Sequence, residues 1–84
     1  MNKSVFVIKD TKAQFYMDPQ IYRNKAEALR ACQNSVNGEG KNMFTQNPED
    51  YSLFKVGEWD ETTGNITTTD KEHVIDLVDL RKVD

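Results

Sequence analysis

This chain of 84 residues has one cysteine, one histidine, one tryptophan, two prolines and four glycines, and its longest apolar run, Val5–Ile8, is four residues. With Cys32 alone, no internal disulfide can form, which points to a reducing compartment. With His73 alone and no paired cysteines, the ligand spacings of a metal site are missing, so neither metal nor cofactor is expected. Four apolar residues in a row fall far short of the roughly 20 that cross a bilayer as a helix, and no stretch resembles a signal peptide. No internal repeat, low-complexity tract or linker interrupts the chain. The expectation is a soluble, intracellular single domain over residues 1–84, with no membrane partner. That length is near the limit at which one core suffices. Covering exposed strand edges then favours a homo-oligomer.

The chain carries 30% charged residues and a net charge of −3, unevenly spread. Residues 1–42 hold seven Lys or Arg against four Asp or Glu, and residues 43–84 hold four against ten. A basic half and an acidic half suggest a dipolar surface, with DNA on one side and a partner on the other.

Local patterns predict α+β: a small antiparallel or mixed sheet with one main helix packed on one face. Ser4–Lys9 reads as a central strand buried on both faces. Gln14–Met17 reads as a brief strand or extended loop. A helix should start at Asn24, with Glu27 at capping-box spacing, and run to Asn37-Gly38. Its core stripe is Leu29, Cys32 and Val36 beside Ala28. Residues 38–46 read as a loop with Met43 and Phe44 tucked inward. Asn47 is placed to cap a turn opened by Pro48, with Glu49 and Asp50 favoured by the local dipole. A strand over 51–59, a turn over 60–64 closed by Gly64, and a returning strand over 65–69 complete a hairpin. Strict alternation would put Phe54 and Val56 with Ser52, and Leu53 with Tyr51, Lys55 and Trp59. Residues 73–80 lean to strand.

Residues able to do chemistry are sparse. His73 lies near Glu72 and Asp76 and reads as a surface imidazole. Cys32 sits on the apolar helix stripe and reads as a small hydrophobe. The acidic turn after Trp59 lacks the ligand pattern of a calcium loop, and Gly38–Lys41 lacks phosphate-loop spacing. No catalytic group is identified. The positive signal is Lys9, Lys12, Arg23, Lys25 and Arg30 interleaved with Phe15, Tyr16 and Tyr22, as single-stranded nucleic acid requires; Lys12, Arg23, Lys25 and Arg30 are the candidates for phosphates, and Tyr16 or Tyr22 for stacking on bases. Glu58, Trp59 and Asp60 are candidates for a protein partner.

Several blocks carry a resemblance. Asp10, Lys12 and Phe15 follow the first strand, and Ala28-Leu29-Arg30 lie in the helix. The densest block is Pro48-Glu49-Asp50-Tyr51, Leu53-Phe54, Val56-Gly57-Glu58-Trp59-Asp60 and Thr63-Gly64. In these the chain resembles the small nonstructural protein of gokushovirus-type microviruses, phages with circular single-stranded DNA. Tryptophan at 59 departs conservatively from a common phenylalanine. The resemblance implies a nonenzymatic protein, absent from the virion, that acts in the host bacterial cytoplasm during single-stranded DNA synthesis and packaging. Its implied partners are single-stranded DNA and the viral replication initiator or host helicase. The competing expectation is a homo-oligomeric interaction module that blocks a host or defence factor without touching nucleic acid.

Overall fold

The apolar run Val5–Ile8 lies in the middle of β1 (Asn2–Asp10), the strand around which the sheet is organised. The computed structural model describes residues 2–82. On one side β1 pairs with β4 (Tyr51–Asp60). On the other it meets two short strands in turn: β2 (Phe15–Tyr16) opposite Lys9 and Asp10, and β3 (Gln20–Tyr22) opposite Ser4 to Phe6. β5 (Ile66–Asp76) pairs with the far side of β4, and every pairing is antiparallel. With one main helix, α1 (Lys25–Val36), on one face, the architecture is α+β. Neither α1 nor the shorter helix among the described residues is long and apolar enough to cross a membrane.

The start of α1 follows from its sequence. Asn24 Oδ1 accepts from the Glu27 amide at 2.9 Å, and Glu27 Oε1 accepts from the Arg23 amide at 3.2 Å. The expected reciprocal cap is thus present, shifted one residue upstream on its return leg. At the other end Asn37 caps the helix, with Gly38 next in line, and its Nδ2 donates to Leu80 O at 2.8 Å. That bond ties the helix end to the C-terminal segment. Ala28, Cys32 and Val36 are buried against Phe6, Tyr51, Leu53 and Leu77, while Leu29 is only half-buried at the edge of this core. Phe6 and Leu53 are each at most 2% exposed, and burying such side chains stabilises by about 1.5–3 kcal/mol apiece.

Several expectations need correction. Residues 38–46 are not all loop: Met43–Gln46 form a short helix, α2. Asn42 Oδ1 accepts from the amides of Phe44 and Thr45, and Thr45 Oγ1 accepts from the Asn42 amide at 2.9 Å. Threonine replaces the usual glutamate in this capping box, which hid it from a pattern search. Phe44 packs edge-on against Tyr51 at 4.9 Å between ring centres, but Met43 stays exposed. Asn47 makes no side-chain cap to the 3-10 turn Pro48–Asp50. The returning strand runs through Asp76 instead of stopping at 69. Beyond it, Leu77–Leu80 is a 3-10 helix, not strand. Three residues per turn stack Leu77 and Leu80 on one side, where both reach the core; strand geometry would send them to opposite faces.

Two of the three register shifts in the sheet decide which side chains share a face at the site. Val5 pairs with Gly57 and Phe6 with Lys55, so Val56 is the extra residue on β4. Before it, Tyr51, Leu53 and Lys55 point toward the helix, and Ser52 and Phe54 point away. After it, Trp59 stands opposite Lys3 on the outer face, not with Tyr51 and Leu53 as strict alternation required. On β5, Leu53 pairs with Ile75 and Phe54 with His73, leaving Val74 extra. His73 and Asp76 therefore both face outward although three residues apart. The turn between β4 and β5 closes at Gly64, whose φ of +77° a side chain would oppose.

Candidate nucleic-acid interface

The sheet face away from α1 carries a row of rings. Tyr16 on β2 meets Phe54 on β4 at 6.0 Å between ring centres, and Phe54 meets His73 on β5 at 5.4 Å, both contacts edge-on. Lys9 is the cross-strand partner of Tyr16, and its Nζ lies 5.5 Å from the Tyr16 ring centre. Lys71 Nζ reaches the same ring, also at 5.5 Å. Tyr16 nevertheless remains 41% exposed. Among the described residues neither ammonium has a carboxylate within 4.0 Å. Two uncommitted cations beside an open aromatic ring present charge for a phosphodiester backbone and a surface for a base.

His73 is held in place from its far side. Its Nε2 lies 2.8 Å from Asp76 Oδ1, which also accepts from Ser52 Oγ at 2.7 Å. These bonds, the serine's first and then the histidine's, hold the Asp76 carboxyl below its ordinary range. An ionised carboxylate only accepts, so Nε2 must carry the proton. Serine and imidazole each bond the carboxylate and not one another, so no nucleophile is presented to a base. The arrangement fixes the imidazole edge-on against Phe54.

Below the outer face, at the open edge of β1 between β2 and β3, lies a cleft of about 570 Å³. Tyr16 is part of its wall, with Phe15, Met17, Tyr22 and Phe44, and Cys32 lies on its floor. Burial pushes the Cys32 thiol up, so it stays protonated and apolar.

The residues singled out from sequence are dispersed. Tyr16 pairs with Lys9 and Tyr22 with Ser4, positions of opposite parity on β1, so the two tyrosines lie on opposite faces. Tyr22 packs on Phe6, and its hydroxyl is pushed up mainly by burial. Lys12 pairs with Asp50 at 3.8 Å, Arg23 with Glu27 at 3.5 Å, and Lys25 with Glu72 at 2.7 Å. Arg30 is exposed on the helix. The four cations therefore do not gather around Tyr16. Of the partner candidates, Glu58 pairs with Lys55 at 2.7 Å. Asp60 Oδ1 accepts from the Thr62 and Thr63 amides and closes the turn, and Trp59 is half-buried. Sequence reading missed Lys71 as Tyr16's companion because no local signal links residues 55 apart; only strand register does. Lys9 was legible as a cation beside aromatics, and the alternation of β1 would have placed it.

The outer ring row and its cations define a small α+β protein with an open, aromatic and cationic sheet face. The chain belongs to the Phage ORF5 protein family, whose profile matches residues 3–80. No curated protein and no solved structure matches it significantly.

Proposed function

We propose that this phage protein is nonenzymatic and acts during viral single-stranded DNA synthesis and packaging by holding single-stranded DNA on the outer sheet face. The carrying observation is Tyr16, exposed between the ammonium groups of Lys9 and Lys71 at 5.5 Å each. Tyr16 offers a stacking platform, Phe54 and His73 extend it across the sheet, and the two lysines meet phosphates. The resemblance to the microvirus nonstructural protein supports the setting: the host bacterial cytoplasm, outside the virion, beside the replication initiator or helicase. A homo-oligomer would lengthen the DNA-holding face.

Titration of fluorescently labelled single-stranded DNA at low and moderate salt tests this reading. Binding should appear at low salt and weaken as salt rises, because neutralised phosphates release counterions. Lack of binding at low salt, or affinity indifferent to salt, removes phosphate contact and with it the reading.

A further inference from the structure

We infer that the cleft beneath Tyr16 is a nucleobase pocket that favours bases bearing an exocyclic amine over thymine; this rests on the single-stranded DNA reading above. At about 570 Å³ it falls within the roughly 300–1,000 Å³ typical of small-ligand sites. Its wall is apolar and ring-rich except at Asp18 and Gln20. Neither of these exposed side chains has a hydrogen-bond partner among the described residues, so both are available to a ligand. A carboxylate accepts from an amine such as cytosine N4, and a glutamine amide both donates and accepts at a base edge. Thymine offers a carbonyl and a methyl where cytosine offers that amine.

Charge complementarity selects this occupant. A lone carboxylate at the mouth of an apolar cleft would ordinarily repel DNA. Here Lys9 and Lys71 flank Tyr16, the ring common to the cleft and the outer face. A strand whose phosphates meet those cations passes the mouth, and one base can leave the stack and enter edge-first toward Asp18. The floor, which includes Phe6, Cys32 and Leu53, is apolar.

The test compares oligo-dC with oligo-dT, two pyrimidines that stack similarly, on the intact protein and on Asp18→Ala. Asp18 is exposed, so the variant should fold. Oligo-dC should bind about tenfold tighter than oligo-dT, on the scale of one specific base-edge contact. In Asp18→Ala the ratio should fall toward one, even as both affinities rise through loss of a negative charge. Methyl NMR of Ile8 and Met17, which line the cleft, should shift with oligo-dC and stay unmoved by an abasic backbone of equal length. Salt-dependent binding without base preference, with still methyls, overturns the pocket, leaves the outer-face reading standing, and assigns the cleft to another occupant such as a protein side chain. No binding of either oligonucleotide overturns both.

Discussion

Lys71 Nζ stands 5.5 Å from the centre of the Tyr16 ring although β5 and β2 lie at opposite ends of the strand order. Two strands lie between them, so the contact depends on the long lysine side chain reaching across the outer face toward the ring. The cluster therefore joins residues from both ends of the sheet on the face where DNA is proposed to lie.

Replacing Tyr16 with alanine should weaken single-stranded DNA binding by roughly 5- to 150-fold, the equivalent of one lost base stack at about 1–3 kcal/mol. Tyr16→Phe should bind nearly as well as the parent, since the ring and not the hydroxyl does the stacking. Fluorescence anisotropy measures both. Equal losses in the two variants would point away from stacking.

Each of Lys9→Gln and Lys71→Gln should flatten the dependence of log affinity on log salt by about 0.7, the contribution of one single-strand phosphate contact. Lys25→Gln serves as the control, because its ammonium already pairs with Glu72 at 2.7 Å on the other side of the sheet. A control that flattens the slope as much as the outer-face variants would relocate the DNA to the helix side.

Gly57→Ala should destabilise the fold by about 1–3 kcal/mol, read from chemical denaturation. A methyl at 57 would come 2.5 Å from Thr67 O, a backbone atom of the neighbouring strand that cannot swing aside. The strands must separate locally, which also disturbs the bulge that sends Trp59 outward. An unchanged denaturation midpoint would mean that β4 and β5 are looser here than their pairing implies.

Asp76 gives a pH signature. Its folded-state carboxyl is held below the ordinary value near 3.8, first by Ser52 and then by His73. The unfolded chain therefore takes up the proton first as pH falls. The stabilisation is complete above the ordinary value and drains away as pH drops through the lower folded value. Asp76→Asn should accordingly lose stability at neutral pH and show a shallower acid dependence below about pH 4. Ser52→Ala should reproduce part of the effect. Parallel acid curves for parent and Asp76→Asn would show that the carboxylate does not couple to folding.

Much was open to reading from the chain because short-range physics fixes it. Asn24 and Glu27 announce the helix start through capping geometry, and spacing marks Cys32 and Val36 as buried, although the stripe centres on Ala28 and not on Leu29. The run Val5–Ile8 announces a central strand, and Gly64 the turn. Tyr16 was recognisable as an available ring. The short helix at Met43 escaped notice because its cap closes through a threonine, and the 3-10 segment at Leu77 because apolar spacing suits strand and helix alike over so few residues.

The sequence by itself settled the main helix, the central strand, the hairpin turn and the lack of disulfide-forming partners, since the local signals for each lie within a turn or two of one another. Tertiary structure alone decided which cations meet Tyr16, that Tyr22 lies on the opposite face, and that His73 and Asp76 face the same way. The last of these hangs on the single-residue bulge at Val74, as the outward turn of Trp59 hangs on the one at Val56. With a side-chain period of two, one extra residue reverses every face beyond it, and nothing local in the chain records where the pairing slips.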